Sequence, residues 1–155
     1  MGGLMVVVPG SARWLAGLAA SVCLLPLALA VVAFGLQGSI LHVVALVGAV
    51  ACAVPVCYRE RGPFRVACAA AGTVVAVASV PLLFVSIWFV IGFGGWFLLA
   101  DFVFLPIAAI PALVAAFQRA RGPEYGRGAA ALGWFVGVLS LLGWSLVTLY
   151  VVMGR

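Results

Sequence analysis

The chain has 155 residues, of which 68% are hydrophobic and 7% charged, where soluble domains carry roughly a quarter charged residues. That balance excludes a disordered chain, a coiled coil and a disulfide-stapled secreted module. The net charge of +5 comes from scattered arginines, not from the basic face that a nucleic-acid partner needs.

No charge occurs between Arg13 and Arg59, a run about twice the roughly 20 residues that a helix needs to cross a hydrocarbon core of about 30 Å. It must turn once. The break is at Gly35-Leu36-Gln37-Gly38-Ser39, where glycines and polar side chains interrupt the apolar pattern and Ser39 can cap the next helix. This predicts helix 1 over 14–34 and helix 2 over 40–58. Between Val66 and Gln118 the glycine-rich break is Gly92-Phe93-Gly94-Gly95, which predicts helix 3 over 66–91 and helix 4 over 96–118. Those glycines lack the strand, lysine and helix of a phosphate loop and read as a turn. The last apolar run predicts helix 5 over 129–153. The expected fold is all-α, a single integral membrane domain of five spans.

Five spans put the N-terminal segment and the 59–65 and 119–128 loops on one side. That side carries Arg13, Arg59, Arg61, Arg65, Arg119, Arg121 and Arg127, while the Gln37 and Gly94 loops carry none and Arg155 lies at the opposite end. Positive residues stay in the cytoplasm, so the N-terminus is expected inside. Trp14, Tyr58, Phe64 and Tyr125 fall at the inner boundary and Trp96, Phe97 and Tyr150 near the outer one. A competing reading makes the first segment a cleavable signal, because an apolar run after Arg13 reaches Ala28-Leu29-Ala30. Pro26 and Val31 to Phe34 fit a continuing span at least as well.

Arg59-Glu60-Arg61-Gly62-Pro63 recurs as Arg119-Ala120-Arg121-Gly122-Pro123, and Ala69-Ala70-Ala71 recurs at the same offset as Ala129-Ala130-Ala131. One reading is a duplicated two-helix hairpin. The other is convergence, since inner loops gather arginine and Gly-Pro is ordinary turn chemistry. Small residues recur at every fourth position: Ala45, Ala49, Ala53; Cys68, Gly72, Ala76; Ala108, Ala112, Ala116; Ala129, Gly133, Gly137. Such stripes let helices approach closely in lipid, and Gly133 with Gly137 is the expected packing site. Pro26, Pro55, Pro81, Pro106 and Pro111 fall inside the expected spans. The carbonyls they free should face protein or water.

Asp101 is the single charge well inside an expected span, about 8 Å below the outer end of helix 4 at 1.5 Å per residue. An intramembrane carboxylate usually faces a cavity or a partner, which makes Asp101 a candidate ion or substrate site. His42, the sole histidine, lies at comparable depth in helix 2 and could pair with it. With Ser39 nearby a hydrolase arrangement can be drawn, but no nucleophile motif accompanies it. Cys23, Cys52, Cys57 and Cys68 contain no C-x-x-C, so they read as small apolar packers. Acylation of Cys57 and Cys68, or their meeting across the hairpin, is the other reading.

Arg127-Gly128-Ala129 and the glycine-studded span after it resemble, over a short stretch, small repeated-hairpin membrane proteins of high-GC bacteria. Eight arginines without a lysine fit such a genome, which makes a bacterial inner membrane the expected location. The expected function is non-enzymatic, a membrane subunit or interaction protein, with a small solute or ion transporter using Asp101 as the alternative. No cofactor is implied. The expected partners are the lipid bilayer, other membrane subunits or a second copy of the chain.

Overall fold

A helix satisfies its backbone hydrogen bonds within one segment, so an apolar chain with few polar side chains adopts it wherever water is scarce. The computed structural model describes residues 7–34, 40–93, 108–122 and 124–153. Among them the regular structure is helical, apart from one isolated antiparallel bridge between Val7 and Glu60. The helices are α1 (Gly10–Phe34), α2 (Ile40–Cys57), α3 (Arg61–Phe93), α4 (Ala109–Arg119) and α5 (Arg127–Met153). Two stretches, 61–80 in α3 and 127–146 in α5, are long and apolar enough to cross a membrane.

Two helices start earlier than their apolar runs indicate. α1 begins at Gly10, just after Pro9, whose carbonyl accepts hydrogen bonds from the Ala12 and Arg13 amides at 3.0 and 3.4 Å. α3 begins at Arg61 rather than 66. Gly62-Pro63, expected as a turn, instead forms its first turn, where the missing proline N–H would have had no partner anyway. The Phe64 amide donates to the Glu60 carbonyl at 3.1 Å and closes that turn. The second arginine string behaves differently. Arg119 ends α4, Ala120 and Arg121 form a turn, and α5 starts only at Arg127. The two R-x-R-G-P strings therefore take different conformations. The expected start of helix 4, the Gly35–Ser39 and Gly94–Gly95 breaks, Pro106 and Pro123 lie outside the described residues. Pro111, expected inside a span, stands in the first turn of α4.

α1 packs on α2, α2 on α3, α3 on α4 and α4 on α1, closing a ring, and α5 lies against α1 and α4. Buried positions alternate by three and four: Phe64, Cys68, Ala71, Val75 and Ser79 on α3, and Ala130, Gly133, Gly137 and Ser140 on α5. That alternation keeps one face toward the bundle at 3.6 residues per turn. A strict spacing of four drifts off it, which is why Ala53 is exposed and Gly72 and Ala76 are only half-buried.

The interior is built mainly of alanine, with cysteine, glycine and the buried serines Ser79 and Ser140. Apart from a few such as Leu15, Phe64 and Leu113, most large apolar side chains face outward instead, among them Val66, Val77, Phe84 and Ile91 on α3 and Phe135, Leu139, Leu142 and Leu146 on α5. In water this arrangement would forgo about 1.5–3 kcal/mol per large side chain left unburied. Only 33% of the apolar window of α3 and 22% of that of α5 is buried, whereas the core helix of a soluble protein is mostly covered.

Candidate functional site at the arginine-bearing end

Three segments remote in sequence meet at one end of the bundle. The Val8 amide donates to the Arg59 carbonyl at 3.0 Å, fastening the N-terminal segment beside the 59–61 loop. Beneath them Phe64, fully buried, packs with Val8, Ala12, Leu15 and Ala116. Arg13, in the first turn of α1, donates from Nη2 to the Val56 carbonyl at 3.1 Å. That carbonyl is in the last turn of α2, where backbone acceptors lack intrahelical donors and a cation complements the helix dipole.

Arg61 ties two loops together. Its Nε donates to the Val7 carbonyl at 3.2 Å and its Nη1 to the Arg121 carbonyl at 3.5 Å. Arg65, one turn further along α3, lies over the Phe117 ring of α4 at 4.6 Å from the centroid, and Arg121 lies over the same ring at 5.6 Å. The ring attracts each guanidinium electrostatically. Arg65 Nε is buried without an acceptor. Among the described residues the side chains of Arg65 and Arg121 make no hydrogen bond and no ion pair. Chemically, the site is a cationic platform suited to anions, with planar donors held in place by an aromatic ring.

The arginines expected to set topology divide into those whose side chains are engaged here, Arg61, Arg65 and Arg121, and the exposed Arg59 and Arg127. Arg119, in the last turn of α4, is half-buried. Gly133 and Gly137 are both buried. A Cβ on Gly133 would stand 3.0 Å from Ala112 Cα and 3.1 Å from the Pro111 carbonyl oxygen, and one on Gly137 would stand 2.7 Å from Leu18 Cδ2. Their face packs against α4 and α1 of the same chain. Asp101 lies outside the described residues, and of His42 only its place in the first turn of α2 is described. All four cysteines are free thiols. Cys57 is exposed and donates to the Ala53 carbonyl at 3.9 Å, while Cys23, Cys52 and Cys68 are buried. Cys23 and Cys52 are neighbouring buried thiols between α1 and α2, a juxtaposition that no spacing in the sequence announces. No group of three or more histidine, cysteine or carboxylate side chains able to hold a metal occurs among the described residues.

Sequence reasoning also passed over Phe117. Its signal was available: Arg121 follows it by four residues, so the two share a face where α4 ends. Its approach to Arg65 is tertiary and leaves no such trace. No protein-family model matches the chain, and no curated protein or solved structure matches it either.

Proposed function

We propose that this chain is a small multi-pass membrane protein, crossing a bacterial inner membrane five times from a cytoplasmic N-terminus. It works without catalysis, as a membrane subunit or interaction protein. The observation that supports this reading is the meeting of the three arginine-bearing segments at one end of a bundle with an alanine interior and apolar flanks. Charge retained on one side is the mark of cytoplasmic loops, and small residues inside with large ones outside suit lipid as solvent. The loops between helices leave little room for a separate catalytic domain.

Alkaline carbonate extraction tests the first part: the chain should stay in the membrane pellet, and release into the supernatant would overturn the reading. Purification in mild detergent tests the second, with a membrane protein expected to co-purify in fixed ratio. A chain that purifies alone and catalyses solute flux in proteoliposomes would replace the subunit reading with the transporter that uses Asp101.

A further inference from the structure

We propose that Arg65 and Arg121, stacked on Phe117 with Arg61 as their positioning residue, bind the phosphate group of an anionic phospholipid in the cytoplasmic leaflet. The inference rests on the membrane reading above and adds a ligand to it. Arg61 spends donors on the Val7 and Arg121 carbonyls, and so fixes the backbone that carries Arg121. Arg65 and Arg121 have no such engagement. Each is held over the ring at 4.6 and 5.6 Å, two like charges brought to one aromatic with no carboxylate on either. Like charges so placed repel unless an anion lies between or beside them. Arg65 is also desolvated at Nε without a compensating acceptor, a cost that an anion at its outer edge offsets. Glu60 and Glu124, the carboxylates nearest in sequence, are both exposed.

Lipid is favoured over free phosphate by what surrounds the platform. Trp14 is 71% exposed and Tyr125 59% exposed at this end, the position of aromatics that sit at headgroup level. Val66 and Val114, next along α3 and α4 toward the middle of the bundle, are exposed apolar surface on which an acyl chain can lie. Basic sites between helices on the cytoplasmic side are suited to anionic headgroups.

The full chain purified in mild detergent is titrated with phosphatidylglycerol, phosphatidylcholine or inorganic phosphate, with bound lipid read by native mass spectrometry and stability by thermal melting. Phosphatidylglycerol should be retained and raise Tm, and phosphatidylcholine should do neither. Arg65→Gln combined with Arg121→Gln should weaken retention by about tenfold or more, the size of a lost charge-assisted hydrogen bond. Arg59→Gln, at an exposed residue and the match in charge for Arg121→Gln alone, should retain the lipid. Arg121→Gln alone, at an exposed position, gives the same reading should the double variant not fold. Equal retention of both lipids, equal loss in Arg59→Gln, or stabilisation by inorganic phosphate to which lipid adds nothing would each overturn the proposal. A chain that resists carbonate extraction yet shows no headgroup preference would overturn this site and leave the membrane reading in place.

Discussion

Gly126 stands at φ +71, and a Cβ there would lie 2.7 Å from both Cβ and Oε1 of Gln118. Backbone and space together select glycine in the turn that leads into α5. Gly126→Ala should lower stability by about 1–2 kcal/mol, read as a fall in Tm in detergent; an unchanged Tm would mean that the turn is not closed this way. Among the described residues Phe64 is the largest fully buried side chain, and it clusters with Val8 and Leu15 at the start of the chain and with Ala116 of α4. Phe64→Ala should cost about 3–5 kcal/mol and free the N-terminal segment to limited proteolysis. Asp101 separates the two functional readings. If the chain is a subunit, Asp101→Asn removes only a charge that the sequence places within a span, and stability should hold or rise with no loss of function. Loss of function with the fold intact would instead establish a working ion or substrate site. As for the site, arginine was visible in the sequence as a topological signal. The stacking of two arginines on Phe117 was not, because one of the contacts joins α3 to α4.

At the level of the helices, what a substitution meets depends on which neighbour lies opposite. A Cβ at Gly133 meets the α4 backbone, at Ala112 Cα and the Pro111 carbonyl, whereas one at Gly137 meets the end of the Leu18 side chain. Backbone cannot yield, but a leucine can change rotamer. Gly133→Ala should therefore destabilise the bundle, and Gly137→Ala should be milder and largely relieved by Leu18→Ala, a coupling of about 0.5–3 kcal/mol in a double-mutant cycle. Leucine at either glycine should be worse than leucine at the exposed Val138. Strict additivity of the Gly137 and Leu18 changes would refute the contact. Among the described residues the helices were legible in order and number, since charge-free runs separated by glycine breaks determine how often such a chain must turn. Their starts were less so. Arg61-Gly62-Pro63 looks like a loop by composition, yet proline and glycine are tolerated in a first turn whose amides have no partners.

On the scale of the whole molecule, the expected topology is open to single-cysteine labelling in a background without the native cysteines. An impermeant reagent added from outside should modify Gln37→Cys and Gly94→Cys and spare Gly62→Cys. Gly122 is a poor reporter because it is buried against Tyr125. Glu124→Cys, at an exposed position in the same loop, should be spared as well. Labelling in the reverse pattern would invert the orientation, and labelling of all four would mean that the chain does not span a membrane in this way.

Composition and the spacing of charge were enough to establish that the described residues are helical, in five helices, with seven of the eight arginines gathered into three segments. Both follow from local rules: an apolar stretch must satisfy its own backbone, and its length limits where it can turn. What only the tertiary structure decided is which surfaces meet. α1 to α4 close into a ring with α5 against α1 and α4, the face containing Gly133 and Gly137 packs within the chain, and Arg65 reaches Phe117. In a chain so rich in alanine and glycine nearly every helix face is smooth enough to pack. Pairing is therefore selected by the fit of all five helices together, through van der Waals contact that no single segment encodes.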